Sequence, residues 1–406
     1  MHKSKTIAAI NKKFFFIGVD LLLRSYDCKH QLISEVFKYK KPTAIKKSVH
    51  VLFVLLPKTF EMAENRTELE ELGEFGLIRE LTKSFEIKNN SSILGLGDDA
   101  AVLQKNEDHV SLISTDMLVE GVHFNLMYMP LKHLGYKAIA VNVSDICAMN
   151  GKAEQVTVSI AVSNRFPVEA LEELYKGIKV ACDNYGVDLI GGDTTSSYSG
   201  LIISVTAVGS APKDKVVKRS SAKEHDLIVV SGDLGAAFMG LQVLEREKEV
   251  FNENPNIQPD LDGHDYIIQR QLKPEARIDI VKFLNELDVI PTSMIDVSDG
   301  LASEIMHLCS SSNTGCRLYD EKLPIDGKTS MTALEFNLDP ATCVLNGGED
   351  YELLFTISQD DFDKIKGNPH MTVIGHMTDA SEGIYFVDKN GSAIELRAQG
   401  WNHFGN

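Results

Sequence analysis

Apolar positions along the chain follow two spacings, one typical of helices and one typical of strands. Helical spacing of three and four residues predicts helices over residues 68–81, 131–149, 168–185, 235–247 and 274–287. Runs rich in β-branched residues predict strands at 110–115, 155–162, 201–209 and 226–231, and a hairpin of 384–387 with 393–396 around Lys389-Asn390-Gly391. This alternation of strands and helices predicts an α/β or α+β fold.

Charge and composition divide the chain into three parts. Residues 1–61 carry twelve Lys or Arg and four Asp or Glu, a net charge of +8. Since the whole chain has a net charge of −17, residues 62–406 have a net charge of −25. Met62 is followed by an acidic, helix-favouring run, which favours Met62 as the natural start; a targeting segment is the alternative. We predict a poorly ordered or mis-started basic extension at 1–61, a first domain at 62–210 and a second at 211–406, because Ala211-Pro212-Lys213-Asp214 interrupts the pattern.

Composition narrows the possible partners. No stretch reaches the roughly 20 apolar residues of a membrane-spanning helix, and a net charge of −17 argues against a nucleic-acid partner. An acidic protein that binds anions must use metal ions. The six cysteines include no CxxC pair, which favours free buried thiols and a cytoplasmic protein.

Aspartates recur next to strand-like runs and at glycine turns, and they carry the candidate chemistry. They are Asp98, Asp99, Asp116, Asp145, Asp193, Asp296 and Asp299. Carboxylates that converge within about 4 Å repel by about 4 kcal/mol per pair at an effective dielectric constant of 20, so they need protons, hydrogen bonds or cations. Hard oxygen ligands suit Mg²⁺. Taken singly, each aspartate could instead form a turn or cap a helix, as Ser298 or Asp299 could for the helix through Leu301.

Other phosphate and catalytic motifs are missing from the sequence. It has no GxxxxGK[ST] loop, no HRD with DFG, no HExxH and no GxSxG. The segment Gly232-Asp233-Leu234-Gly235-Ala236-Ala237 could bind phosphate at a helix start, but a close strand-to-helix turn is the preferred interpretation.

Seven motifs, read in order, resemble the thiamine-monophosphate kinase family of the aminoimidazole ribonucleotide synthetase superfamily. They are LGLGDDAAVL at 94–103, STDMLVEGVHF at 114–124, NVSDICAMNGKAEQ at 142–155, GGDTT at 191–195, MIDVSDGL at 294–301, NGGEDYELLFT at 346–356 and GWNHF at 400–404. The resemblance implies two α/β domains, the first pairing with its mate in a homodimer. It also implies ATP as co-substrate and thiamine monophosphate as acceptor.

The resemblance carries roles residue by residue. Several magnesium ions would be held by Asp98, Asp99, Ser114, Thr115, Asp116, Asp145, Asp193, Asp296 and Asp299. ATP would be contacted by Tyr175, Gly192, Asp193, Arg219 and Ser298, and thiamine monophosphate by His123, Glu349 and Trp401. The implied reaction is direct in-line phosphoryl transfer, for which no protein nucleophile is needed. The alternatives are another ATP-using synthetase of the superfamily and a non-catalytic nucleotide or magnesium sensor.

Overall fold

A computed structural model describes residues 69–397, with side chains from Leu72 onward. The predicted extension at 1–61 and the tail that contains Trp401 lie outside these residues. From Gly73 onward the chain forms one compact unit. Within 69–397, no helix is long and apolar enough to cross a membrane.

The described chain contains both helices and strands, in mixed order. The helices are α1 (Leu69–Thr82), α2 (Leu131–Ala148), α3 (Val168–Tyr185), α4 (Ala236–Glu253), α5 (Asp265–Leu272), α6 (Ile278–Glu286), α7 (Leu301–Ser312), α8 (Gly327–Glu335), α9 (Pro340–Asn346) and α10 (Phe362–Ile365). The strands are β1 (Ser92–Leu94), β2 (Ala101–Gln104), β3 (His109–Val119), β4 (Lys152–Val162), β5 (Asp188–Ser196), β6 (Ile202–Pro212), β7 (Leu227–Ser231), β8 (Ser293–Asp296), β9 (Thr314–Tyr319), β10 (Leu353–Ile357), β11 (Met371–Asp379), β12 (Ile384–Val387) and β13 (Ala393–Glu395). The predicted α/β (α+β) class is confirmed.

Two mixed sheets form the framework. The first has the order β1-β2-β3-β6-β4-β5, and the second has the order β13-β12-β9-β11-β7-β10-β8. Strands β4 and β5 pair in parallel, as do β9 and β12, while the other pairs are antiparallel. The predicted domain boundary at 211 falls within the last two residues of β6, just before the chain leaves the first sheet. The division into separate domains stays a prediction.

Helix α2 is the central helix and is buried along most of its length. Its residues from Leu134 to Met149 are nearly all buried, because the helix packs on β3 and β6 and also meets β8 of the second sheet. A helix buried on all sides is usually apolar all round, so the buried polar residues Lys137, Asn142 and Ser144 of α2 stand out. Against α3 it packs through glycines: a Cβ at Gly135 would lie 2.0 Å from the Leu174 carbonyl oxygen, and one at Gly177 would lie 1.9 Å from that of Lys132.

Most predicted elements agree with the observed ones, and the main difference concerns the GGDTT motif. We predicted no strand there, but Gly191 to Thr195 lie within strand β5. A Cβ at Gly192 would lie 1.8 Å from the Val158 carbonyl oxygen of β4, so the glycine permits a close approach between paired strands. The helix predicted at 274–287 is shorter, since α6 begins at Ile278.

Candidate active site

Three aspartates from distant parts of the sequence meet between the two sheets. Asp99 precedes β2, Asp145 lies on α2, and Asp296 ends β8. One carboxylate oxygen of each lies within 4.8 Å of those of the other two. At that separation a pair of full charges would repel by about 3 to 4 kcal/mol at an effective dielectric constant of about 20. The cluster therefore requires protons or cations.

Hydroxyl groups support two of these carboxylates. Ser114 on β3 donates to Asp145, and Ser144 on α2 donates to Asp296 over 2.5 Å. Ser144 was not among the predicted site residues, although it directly precedes Asp145 in the motif. Asp145 of α2 accepts from β3, and the neighbouring Ser144 donates to Asp296, so this helix joins the first sheet to the end of β8.

Arg219 supplies a positive charge to the cluster. Its guanidinium group donates to both carboxylate oxygens of Asp99, over 2.6 Å and 3.2 Å. Its backbone N–H donates to Asp98 over 3.1 Å. Asp99 thus bears the ion pair, whereas Asp98 receives backbone donors from Arg219 and from Asp99 itself. One guanidinium does not balance the surrounding carboxylates.

Burial, reinforced by repulsion between neighbouring carboxylates, raises the pKa of the clustered carboxyls. Burial raises the pKa of Asp296 to about 7, and the nearby Asp99 adds to the effect. Burial and then the charges of Glu74 and Asp99 raise the pKa of Asp116 to about 6. The pKa of Asp145 lies well above its usual range, because this carboxyl is buried and faces Asp116 and Asp296. A nearby cation would therefore stabilise the ionised form of each of these carboxyl groups.

The donor set fits magnesium. Carboxylate and hydroxyl oxygens are the hard ligands that Mg²⁺ prefers. When ionised, the clustered aspartates carry more negative charge than the single guanidinium of Arg219 neutralises. Asp99, Asp145 and Asp296 are the residues whose oxygens converge. Ser114, Asp98 and Asp116 adjoin them.

Two predicted ligands lie on the opposite face of the first sheet. Thr115 is exposed, and its hydroxyl donates to the Val205 carbonyl oxygen over 2.9 Å. Asp193 on β5 lies opposite Ser159 of β4, which lies opposite Ser204 of β6, which in turn lies opposite Met117 of β3. Residues directly opposite one another on neighbouring strands have their side chains on the same face of the sheet. Asp116, which neighbours Met117, faces the helices. Asp193 on β5 is thus three strand spacings, about 14 Å, from Asp116 on β3, and it lies on the other face of the sheet.

Asp193 instead borders a separate concavity. This space of about 380 Å³ is lined by Val158, Tyr175, Leu189, Gly191, Gly192, Asp193 and Thr194. It brings together three of the residues predicted to contact ATP, namely Tyr175, Gly192 and Asp193. The other two, Arg219 and Ser298, lie near the carboxylate cluster. Within one chain, the predicted nucleotide residues therefore form two groups.

Glu304, which was not among the predicted site residues, lies in the first turn of α7, where a cap by Ser298 or Asp299 was the alternative interpretation. The hypothesis that Ser298 or Asp299 caps α7 is wrong, because Gly300 is the cap residue and no side chain caps it. Instead, the buried Glu304 accepts the Asp299 backbone N–H over 2.9 Å. Burial and the charge of Asp299 hold the pKa of Glu304 well above its usual range. The sequence held a signal for this buried carboxylate, because Glu304 lies three residues after Leu301 and so on the same apolar face of the helix.

The predicted acceptor residues are only partly described. Glu349 accepts from Lys137 over 2.7 Å and from Gln271 over 2.5 Å. His123 follows β3, and its Nδ1 accepts the Val119 backbone N–H over 3.1 Å, which assigns the ring proton to Nε2. Trp401 lies outside the described residues, so its contact with the acceptor stays a prediction.

The glycine-rich turn before α4 is not a phosphate site. Asp350 accepts from the backbone N–H of Gly235 over 2.7 Å and of Ala237 over 3.3 Å. A carboxylate thus already occupies the donors that a phosphate would need. The preferred interpretation of this segment, a close strand-to-helix turn, agrees with this geometry. The next acid of the same motif, Glu352, is bound by Arg270 over 3.0 Å.

Comparison with known proteins identifies the family. Residues 97–211 match the family described as AIR synthase related protein, N-terminal domain. A thiamine-monophosphate kinase of Bacillus subtilis (strain 168) is 32% identical over 338 residues, which cover 82% of this chain and 100% of the relative. A thiamine-monophosphate kinase of Aquifex aeolicus (strain VF5) is 36% identical over 338 residues, which cover 83% of this chain and 99% of the relative. The chain belongs to the thiamine-monophosphate kinase family.

A solved structure of the same family matches the fold. It is described as AaThiL complexed with AMPPCP and TMP, and it aligns with a TM-score of 0.71 at 34% identity, covering 84% of this chain and 99% of that chain. The family resemblance drawn from the seven motifs is therefore confirmed, as is the aminoimidazole ribonucleotide synthetase-like fold.

Proposed function

We propose that this chain is an ATP:thiamine-phosphate phosphotransferase, which converts thiamine monophosphate and ATP to thiamine diphosphate and ADP. This is the last step in making thiamine diphosphate. The observation that carries the proposal is the convergence of Asp99, Asp145 and Asp296 within 4.8 Å, in a chain whose relatives are thiamine-monophosphate kinases. The solved relative described with AMPPCP and TMP supports the same pair of substrates.

The chemistry requires two polyanions to approach each other. A phosphate oxygen of thiamine monophosphate forms a bond to the γ-phosphorus of ATP, while the bond from that phosphorus to the β,γ-bridging oxygen breaks and ADP leaves. Magnesium ions held by Asp99, Asp145 and Asp296 would neutralise charge on both phosphates and on the transferred group. The attacking oxygen is already ionised at pH 7, so neither a general base nor a protein nucleophile is needed.

We assign the remaining roles by position. Asp98, Ser114 and Asp116 adjoin the clustered carboxylates and complete the proposed metal set, together with Asp299 beside Asp296. Arg219 orients Asp99 through two hydrogen bonds and lies close enough to the cluster to contact a nucleotide phosphate. Glu349 and His123 are the described candidates for contact with the acceptor, and Trp401 is the third.

The test is an assay of ADP release. Purified full-length chain with ATP and Mg²⁺ should release ADP only when thiamine monophosphate is added, with one thiamine diphosphate formed per ADP. A sensor would bind ATP without turnover, and another synthetase of the superfamily would stay inactive with thiamine monophosphate. Either of these two results would refute the proposed function.

We also propose that the chain forms a homodimer through the first sheet. The face of this sheet opposite α2 presents hydroxyl-bearing and apolar residues, among them Thr206, Ser204 and Met117, and Met117 is 55% exposed. The edge strand β5 exposes Leu189 at 44% and Ile190 at 62%. Apolar exposure on a flat sheet favours sheet-on-sheet packing with a second copy.

A charge placed on that face should separate the protomers. Sedimentation velocity should give a dimer for the wild-type chain and a monomer, or a much weaker dimer, for Met117→Lys. A matched change on an exposed helix residue, Glu172→Lys on α3, should leave the dimer intact. A monomeric wild-type chain would exclude this proposal.

The cysteines favour a reducing location. The five cysteines of the described range are buried and form no disulfide. Since oxidising compartments favour disulfides, we infer that the enzyme works in the cytoplasm. Recovery of the protein from an oxidising compartment would contradict this inference.

A further inference from the structure

Lys137 is a fully buried ammonium group whose partner is a proposed acceptor residue. Its side chain on α2 is 0% exposed, and its Nζ lies 2.7 Å from Oε1 of Glu349, which is 26% exposed. The other carboxylate oxygen of Glu349 accepts from Nε2 of Gln271 over 2.5 Å. Both oxygens are thus held from the buried side, while the exposed part of Glu349 can meet a ligand.

The backbone at Glu349 is held as firmly as the side chain. Its φ of 67° lies in the left-handed region that a residue with a side chain rarely adopts. The Glu349 N–H donates to the Ser298 carbonyl oxygen over 2.7 Å, and a Cβ at Gly348 would lie 2.0 Å from the same oxygen. Such a conformation persists only where the surroundings impose it, and it clusters at functional sites.

Packing alone does not account for a lysine at this position. Burying an ammonium group is costly, and replacing a buried ion pair by apolar residues of similar volume is often neutral or stabilising. A methionine or leucine would serve the core of α2 equally well. The charge at position 137 is therefore explained by its ion pair with Glu349, which fixes the position of that carboxylate.

We propose that Lys137 is a positioning residue for the acceptor, an inference that rests on the proposed function. It holds Glu349 in one place and orientation against the cationic and aromatic end of thiamine monophosphate. The same helix carries Ser144 and Asp145 seven and eight residues later, which is about 10 to 12 Å along the helix axis. Helix α2 thereby sets the distance between the acceptor's ring end and the phosphate that is phosphorylated.

The experiment compares Lys137→Met with Lys132→Met, a control at an exposed position of the same helix. Calorimetry with thiamine monophosphate alone gives Kd, and steady-state assays give KM and kcat. For Lys137→Met we expect Kd and KM for thiamine monophosphate to rise by about tenfold or more, as for loss of a buried charge partner. The KM for ATP and kcat should stay within about threefold of wild type. Lys137→Arg should recover part of the loss, and Lys132→Met should change none of these values.

A second variant keeps the inference testable if Lys137→Met does not fold. Glu349→Gln has the same shape and retains a hydrogen-bond acceptor for Lys137, and it should weaken thiamine monophosphate binding to a similar extent. In the double variant Lys137→Met with Glu349→Gln, the losses should be much smaller than additive.

Three results would overturn the inference. These are an unchanged Kd for thiamine monophosphate in a folded Lys137→Met, an unchanged Kd in Glu349→Gln, or equal losses for ATP and the acceptor. A wild-type chain that neither binds nor phosphorylates thiamine monophosphate would instead refute the proposed function itself. The wild-type measurement therefore separates the two failures.

Discussion

Asp145→Asn is expected to lower kcat by at least about a hundredfold while the protein stays folded. Asp145 is the α2 member of the cluster, and it faces Asp116 and Asp296. Its charge is costly in the absence of cations, which indicates that it is retained for binding the cations that stabilise the negative charge of the transition state. Removing one such interaction typically costs a factor of a hundred to a thousand in kcat. Asp116→Asn should behave similarly, because Asp116 repels the same group of carboxylates.

Stability should move in the opposite direction from activity. A neutral amide at position 145 relieves repulsion, so we expect the melting temperature of the metal-free variant to equal or exceed that of wild type. Asp183→Asn is the matched control, since Asp183 is an exposed aspartate that pairs with Lys179 on α3. It should change neither kcat nor stability noticeably. Near-normal turnover in Asp145→Asn would show that this carboxylate is structural.

Removal of divalent cations should abolish turnover. With excess EDTA, phosphorylation of thiamine monophosphate should fall by at least about a hundredfold, and added Mg²⁺ should restore it. The reason is electrostatic: ATP and the acceptor phosphate must enter a site that already contains Asp99, Asp145 and Asp296. Undiminished activity in EDTA would contradict the magnesium assignment.

The metal-free protein should also show a distinctive dependence of stability on pH. In the folded chain the pKa is raised to about 6 for Asp98, about 6 for Asp116 and about 7 for Asp296, from an ordinary value of 3.8. Between about pH 4 and pH 7 the folded state therefore holds protons that the unfolded chain has released. Unfolding free energy consequently falls as pH rises through this window.

Bound Mg²⁺ should reverse this trend, because it binds the deprotonated carboxylates and stabilises the folded state by mass action. Melting temperatures measured from pH 5 to pH 8, with EDTA and with Mg²⁺, would show the two curves separating as pH rises. Curves that remain parallel would mean that the cluster does not bind the ion.

Local patterns were sufficient to predict most elements and the chemical class of the site. Helical apolar spacing marks α3 at Val168–Tyr185, and β-branched runs mark the strands β4 and β6, because these signals depend on residues a few positions apart. The repeated aspartates indicated a cation-dependent site, since buried carboxylates need partners whatever the fold. The order of seven motifs indicated the family.

Strand pairing and helix packing decided which of these residues meet. Asp116 and Asp193 look alike in the sequence, yet the register of β3, β6, β4 and β5 puts them on opposite faces of one sheet. Likewise, the partner of Asp350 is a helix N-terminus more than a hundred residues away, and the partner of Glu349 is a lysine on α2. Long-range pairing depends on packing across the whole compact unit, so no local spacing could reveal these contacts. The sequence therefore determined which groups are available for the chemistry, and the tertiary structure alone decided which of them share a site.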